Sequence, residues 1–393
     1  MKRISFLILI FFTFSCSHIS ETQESDDVNQ FTISPHALSN DAIFPDKSVK
    51  TLFGSLLSNV KVSRSSFNPG LDEEIAISYS LSESATVSAK IFDPDWGLIR
   101  SFHSNNSTGN HTFIWDGKDL DNNLVPDEAY FFTITAKDKS GKTEIYDPTT
   151  FSGGLERDIT IANVDPQNHS IHYKMPEMGR VMIRIGIQNG PLMNTLVDWK
   201  PRVKGAITEY WNGKDNANVV DIYNHPDFKM VIAYFTLPEN SVITYGNKSL
   251  TYKEYKQSNV TQRPLKEKRD TTISRPSPHY RLSRLIDYSP HLAISFVNVK
   301  AKDSNDIPIL SEKALVKVDL TEADKRIFQN QQFEICFFLD YKFYAEDEAG
   351  YIPFNWVWDL TDVKEGEHLL TVNLSTFKDQ IGVFSQKIRV EKN

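Results

Sequence analysis

The densest group of side chains that could do chemistry lies in the acidic stretch FIWDGKDLDNNLVPDEAY, residues 113–130. Four of its side chains carry oxygen ligands at short spacing: Asp116, Asp119, Asp121 and Asn123. The run Asp-x-Asp-x-Asn matches the first ligand positions of an EF-hand, but the positions that require Gly and Glu hold Leu124 and Tyr130. Two interpretations stay open. One is a weak calcium site of another type at Asp116, Asp119 and Asp121, and the other is a tight turn held by local hydrogen bonds to these carboxylates.

Two tryptophans form a second set of candidate binding residues. Trp96 lies in Asp-Pro-Asp-Trp-Gly and Trp199 in Asp-Trp-Lys-Pro, and both contexts are typical of turns. A tryptophan at the tip of a turn can stack on a sugar or anchor a protein partner. The alternative is that each indole folds back over the edge of its own sandwich.

The sequence carries none of the usual catalytic or metal-binding motifs. It contains no GxSxG elbow, no HExxH, no glycine-rich phosphate loop and no CxxC pair. Cys336 lies in the apolar run Phe333–Leu339, which predicts a buried and unreactive thiol. We therefore expect no enzymatic activity, no cofactor and no dedicated metal centre. The net charge of −8 argues against general nucleic-acid binding, which needs a basic face.

The elements that must position these residues read as short strands. Ile75–Leu81 alternates apolar and polar residues, as a half-buried strand does, and so does Val87–Phe92. Leu98–Phe102, His111–Trp115 and Ala129–Ala136 follow at regular spacing, with turn residues between them. This pattern predicts an all-β protein built from tandem Ig-like β-sandwich modules.

The first of these modules resembles a known family. Phe67-Asn68-Pro69, then Ile77-x-Tyr79-x-Leu81, then Gly109-x-His111-x-Phe113-x-Trp115-Asp116-Gly117-x-Asp119 follow in the order found in the FlgD-like Ig-type module, named after the flagellar hook-capping protein. The resemblance implies an Ig-type sandwich with a structural or binding role. It covers the first module only.

The following stretch resembles a diverged copy of that module. Ile77 and Tyr79 align with Ile171 and Tyr173, 94 positions later. Trp115-Asp116-Gly117-Lys118-Asp119 aligns with Trp211-Asn212-Gly213-Lys214-Asp215, 96 positions later. We therefore predict a second Ig-like module.

The whole chain divides into six predicted segments: a signal peptide (1–15), a polar tether (16–59), module 1 (60–153), module 2 (154–256), a basic linker (257–284) and a C-terminal Ig-like sandwich, module 3 (285–393). The linker is a solvated connection or, alternatively, a contact for an anionic partner.

The N-terminus predicts a lipid anchor. The apolar run Ile4–Phe14 is too short to span a bilayer, which needs about 20 residues. The end of that run, Thr13-Phe14-Ser15-Cys16, resembles a bacterial lipobox, which implies that Cys16 becomes the acylated, palmitate-bearing first residue of the mature protein. Ser17 after it favours the outer membrane.

These features predict a non-enzymatic cell-envelope lipoprotein that acts as a scaffold or adhesin through Ig-like modules. Its expected partners are the membrane, through the anchor, and an envelope or appendage protein. The alternative is a carbohydrate-binding surface lipoprotein, accessory to a secreted hydrolase, with a glycan at Trp96 or Trp199.

Overall fold

The computed structural model describes residues 55–258, 288–297, 299–328, 330–377 and 380–392. The predicted signal peptide, the tether up to residue 54, Cys16 and nearly all of the basic linker lie outside these residues. Within the described ranges, no helix has both the length and the apolar character needed to cross a membrane.

The chain is almost entirely β-structure, as predicted. The first part forms β1 (Leu57–Val62), β2 (Ser66–Phe67), β3 (Ile75–Leu81), β4 (Ala85–Phe92), β5 (Leu98–Asn106), β6 (Gly109–Trp115), β7 (Ala129–Asp138) and β8 (Thr143–Tyr146). The second forms β9 (Glu156–Asp158), β10 (Ala162–Asp165), β11 (Ser170–Met175), β12 (Gly179–Ile187), β13 (Leu192–Arg202), β14 (Gly205–Tyr210) and β15 (Phe228–Thr236).

A short connecting region then forms β16 (Ser241–Thr244) and the helix α1 (Tyr252–Ser258). The third part forms β17 (Leu292–Phe296), β18 (Ala301–Lys302), β19 (Pro308–Leu310), β20 (Lys313–Leu320), α2 (Glu322–Phe328), β21 (Phe333–Leu339), β22 (Lys342–Gly350), β23 (Phe354–Asp359), β24 (Gly366–Thr376) and β25 (Ile381–Val390). Two single turns of 3-10 helix occupy Pro69–Leu71 and Pro148–Thr150.

The three modules share one strand order. Each has a three-stranded sheet: β1-β3-β6, β10-β11-β14 and β17-β20-β23. Each also has a larger sheet that contains the matching run β5-β4-β7, β13-β12-β15 or β22-β21-β24. The predicted internal repeat is therefore present, and module 3 follows the same plan.

Alternation along the strands builds each core. In β3 every second residue is buried, and its apolar side chains face the larger sheet. Trp115 ends β6 at 1% exposure and meets the rings of Phe67 and Tyr130 edge-on, each at a centroid distance of 5.4 Å. Burying one such large side chain contributes about 1.5–3 kcal/mol, so these rings anchor the module.

Residues 241–256 belong to module 1, which corrects the predicted extent of module 2. Strand β16 pairs antiparallel with β7 and parallel with β2. Val242 and Tyr255 lie in the core of module 1. A four-residue strand that is buried on every side has no alternation in its sequence to reveal its partner.

The chain therefore crosses between modules 1 and 2 twice: once outward, between β8 and β9, and once on its return, between β15 and β16. The outward passage ends near Gly154, whose N–H donates to the Thr236 carbonyl at 2.7 Å. On the return passage the Asn240 side chain donates to the Phe132 carbonyl at 2.5 Å.

Module 3 contacts module 2 along strand β13. The Asn373 side chain makes two hydrogen bonds of 2.8 Å to Leu192, donating to its carbonyl and accepting from its N–H. Leu369 packs into the core of module 2, and the Tyr341 ring meets His225 at 4.7 Å.

Candidate functional site at the junction of the modules

The acidic turn of module 1 is built around the Asp119 carboxylate, which is 5% exposed. Its Oδ1 accepts the N–H groups of Asp121 at 3.0 Å and Asn123 at 2.9 Å. Its Oδ2 accepts the Tyr255 hydroxyl of α1 at 2.8 Å. Asp119 therefore fixes the turn and also attaches α1 to it.

The other two acidic residues of this turn have separate surroundings. Asp116 accepts the Lys118 N–H at 3.1 Å, and Asp121 is exposed. Among the described residues, the group of side chains close enough to share a metal ion lies elsewhere, at Glu334, Cys336 and Glu346. The structure thus does not bring Asp116, Asp119 and Asp121 together as a ligand set.

Module 2 repeats the same turn. Asp215 is 2% exposed and accepts three N–H groups, from Ala217, Val219 and Val220, at 2.6–3.2 Å. In both modules the preceding tryptophan donates its Nε1–H to a turn carbonyl, from Trp115 to Lys118 at 3.0 Å and from Trp211 to Lys214 at 2.9 Å.

Helix α1 also binds a second buried carboxylate of module 1. Asp93 is fully buried and accepts the N–H groups of Asp95 and Gly97. Lys256 lies 3.0 Å from its Oδ2 and 3.5 Å from Asp95. A buried carboxylate needs such a partner, since an unpaired charge is costly in the interior.

The same helix reaches module 3 through Lys253. Its ammonium donates to the Tyr288 hydroxyl at 2.6 Å, lies 3.3 Å from Asp324, and sits 3.9 Å above the Tyr288 ring. Helix α1 therefore links the first and third modules through one lysine.

Asp324 is the centre of the contact on the module 3 side. It is fully buried, and it accepts the Tyr288 hydroxyl at 2.6 Å and the His291 N–H at 2.8 Å, with His291 Nδ1 at 2.9 Å. Burial alone would raise its pKa, but the hydrogen bonds from His291 and Tyr288 hold the pKa of Asp324 well below its usual value. The hydrogen bond to Asp324 raises the pKa of His291 in return.

Module 2 contributes two further contacts. Arg180 lies 2.6 Å from Glu128 of module 1, whose side chain is 1% exposed. Removing one partner of such a buried pair typically costs about 3–5 kcal/mol, so this pair fixes one module against the other. Asp198 accepts the Ser289 hydroxyl of module 3 at 2.9 Å.

The two candidate tryptophans do not present open faces. Trp199 is 4% exposed and stacks on Phe235 at 4.5 Å. Its predicted turn is wrong, because the residue lies inside β13, an edge strand that tolerates Pro201. Trp96 does lie at a turn, but it is half-buried and packs 5.4 Å from both Phe92 and Phe131.

Cys336 is 5% exposed, and burial raises the pKa of its thiol, with the charge of Glu334 adding to the effect. A raised pKa keeps the group as a thiol rather than a reactive thiolate.

Sequence reasoning missed the residues that join the modules. Lys253, Tyr255 and Lys256 stood next to the predicted linker, and Asp198 and Asp324 carried no motif. The partners of these five residues lie 33 to 163 positions away in the sequence, so no local pattern identifies them.

Residues 65–140 match the family model described as the FlgD Ig-like domain. The predicted resemblance is thus confirmed for this stretch, which lies within module 1. No curated protein matches the chain.

Three solved structures are among those similar to this chain. FlgD from P. aeruginosa is 23% identical, over 23% of this chain and 72% of that one, with a TM-score of 0.19. The fibronectin(III)-like modules of Clostridium thermocellum CbhA are 10% identical, over 85% of this chain and 95% of that one, also with a TM-score of 0.19. A solved chain from a 1.5-MDa bacterial ice-binding adhesin is 10% identical, over 86% of this chain and 98% of that solved chain, with a TM-score of 0.17.

Proposed function

We propose that this chain is a non-enzymatic lipoprotein of the cell envelope that acts as a scaffold or adhesin. The acyl anchor would be Cys16, and the Ig-like modules would hold a protein partner of the envelope or of a surface appendage.

One observation carries this proposal: buried polar and charged side chains join the three modules to one another. Glu128–Arg180 connects modules 1 and 2, Lys253–Asp324 connects α1 to module 3, and Asp198–Ser289 connects modules 2 and 3. Fixed contacts between sandwiches suit a protein that transmits position or force, while the loops stay available for binding.

The anchor is tested by metabolic labelling with an alkyne analogue of palmitate. We expect label in the natural chain and in Cys336→Ser, and none in Cys16→Ser, which should leave the membrane fraction. The two cysteines provide a matched pair, because they are the only ones in the sequence. Label that persists in Cys16→Ser would contradict the anchor.

The scaffold role is tested by cross-linking intact cells and purifying the protein through a C-terminal tag. A defined set of envelope or appendage proteins should be recovered, and Cys16→Ser should lose them because it is no longer at the membrane. Recovery of the tagged protein alone, or with polysaccharide only, would contradict the scaffold role.

A further inference from the structure

A cavity of about 320 Å³ lies between strand β13 of module 2 and both ends of module 3. Sites for small ligands typically span about 300–1,000 Å³. At about 30 Å³ for each water molecule, this cavity has room for about ten waters or for a small sugar.

Its lining has a different character on the two modules. Module 3 supplies an apolar wall, formed by Leu292, Ile381, Val383 and Phe384, and beside it the polar side chains of Tyr288, Ser289 and His291. Module 2 supplies a hydroxyl, a carboxylate, an amide and an ammonium group, from Thr195, Asp198, Asn216 and Lys200. Apolar walls with a few placed polar groups are typical of ligand sites, in which the polar groups fix the orientation of the ligand.

Two of the module 2 groups have hydrogen-bonding capacity to spare. The Thr195 side chain lines the cavity, and its hydroxyl is buried with no hydrogen-bond partner among the described residues, so that a rotation about χ1 would present it to a ligand. Asp198 accepts the Ser289 hydroxyl on Oδ2, and a carboxylate can accept several further hydrogen bonds. Burial raises the pKa of Asp198, which reflects how closely the two modules enclose it.

We propose that this cleft binds a neutral sugar of one or two rings. Sugar hydroxyls would donate to Asp198 and exchange hydrogen bonds with Thr195 and Asn216, while the C–H face of the ring would pack on the wall formed by Phe384 and its neighbours.

The surrounding charges favour a neutral ligand over an ion. Asp198 lies within electrostatic reach of two cations, Arg184 and Lys200. On the module 3 side, His291 is bonded to Asp324. Because the lining holds both a carboxylate, Asp198, and a cation, Lys200, neither an anion nor a cation meets charges of one sign in the cavity. This site is separate from Trp96 and Trp199.

The test is a titration of the full chain with maltose, cellobiose, lactose and N,N′-diacetylchitobiose, followed by saturation-transfer NMR and calorimetry. We expect at least one disaccharide to bind, with affinity reduced at least tenfold in Asp198→Asn and measurably in Thr195→Val. Both changes keep the size of the side chain, and thermal unfolding checks that each variant is folded.

The matched control is Ser101→Val in module 1. Ser101 lies 94 positions before Thr195, at the corresponding place on β5, and it does not line this cavity. The control should bind as the natural chain does. The proposal is overturned if none of the four sugars binds, if binding survives both cavity variants, or if glucosamine or galacturonate binds more tightly. Loss of the sugar site would leave the capture of protein partners unchanged, so the two proposals fail separately.

Discussion

Modules 1 and 2 stabilise the turn after their buried tryptophan in one way, and module 3 does so in another. In the first two modules a buried aspartate, Asp119 or Asp215, gathers backbone N–H groups, and the tryptophan Nε1–H reaches a carbonyl of the same turn. In module 3, Trp358 is fully buried at the matching end of β23, yet its Nε1 has no hydrogen-bond partner among the described residues.

A glycine explains part of this difference. Gly117 and Gly213 have φ values of 72° and 81°, a conformation in which a side chain is strained. A Cβ at Gly117 would also collide with Pro69. Module 3 has Leu360 at this place, so its turn takes another path and the carbonyl does not meet the indole. The Gly and the Asp of the turn therefore act together to place a carbonyl that accepts the indole N–H of the tryptophan.

Removing the turn aspartate should give the largest effect. Asp119 accepts two partly buried N–H groups and the Tyr255 hydroxyl, and Asp215 accepts three partly buried N–H groups. At about 1 kcal/mol for each lost hydrogen bond, we expect Asp119→Ala and Asp215→Ala each to lower the free energy of unfolding by about 3 kcal/mol. Asp362→Ala, at an exposed position in the corresponding turn of module 3, should change it by less than about 0.5 kcal/mol. Urea unfolding of the full chain measures the loss, and hydrogen exchange in each module locates it. Equal losses in all three variants would remove the distinction between the turns.

Replacing Trp115, Trp211 or Trp358 by phenylalanine tests how much the hydrogen bond of the indole N–H contributes to stability. All three changes remove similar volume from a core, but only Trp115→Phe and Trp211→Phe also break a hydrogen bond. We expect these two to cost about 1 kcal/mol more than Trp358→Phe. Chemical denaturation provides the values, and a larger loss for Trp358→Phe would contradict the assigned role of the turn carbonyls.

Helix α1 distinguishes module 1 from module 2, because it donates the Tyr255 hydroxyl to Asp119. Asp215 of module 2 accepts backbone N–H groups from Ala217, Val219 and Val220. Tyr255→Phe should lower the stability of module 1 by about 1 kcal/mol. Tyr252→Phe on the same helix is the control, since its contact with Asp95 is longer, at 3.4 Å. In Asp119→Ala the further change Tyr255→Phe should have almost no effect. Additive losses would show that the two groups act independently.

Local features of this fold could be predicted from the sequence, whereas contacts between distant residues could not. The alternation in Ile75–Leu81 predicted β3 with its observed ends, and Trp-x-Gly-Lys-Asp predicted the turn in both of its copies. Both signals are local, since a side-chain period or a positive φ depends on neighbouring residues. The bond from Tyr255 to Asp119 joins residues 136 positions apart. Strand β16 was not predicted, because it is buried at all four positions and its sequence has no alternation of apolar and polar residues.

Module 3 places its own buried carboxylate, Asp324, against a histidine, His291, which should make its stability fall as the pH rises above 6.5. The pKa of His291 is raised from 6.5 in the folded chain, because Asp324 accepts its hydrogen bond. The stabilisation is therefore complete below pH 6.5 and is lost as the pH rises through the folded value. His368, beside Asp340, is shifted in the same direction: burial opposes the shift, but the bond to Asp340 outweighs it.

We therefore expect the stability of module 3 against urea, measured by hydrogen exchange, to fall as the pH rises above 6.5. His291→Gln should reduce this fall, and His368 should account for the remainder. The hydrogen bonds of Asp119 and Asp215 among the described residues come from backbone N–H groups and one tyrosine, so modules 1 and 2 should not share the fall. A fall of equal size in all three modules, or one that is undiminished in His291→Gln, would mean that the buried carboxylate of module 3 is no more sensitive to pH than those of the turns.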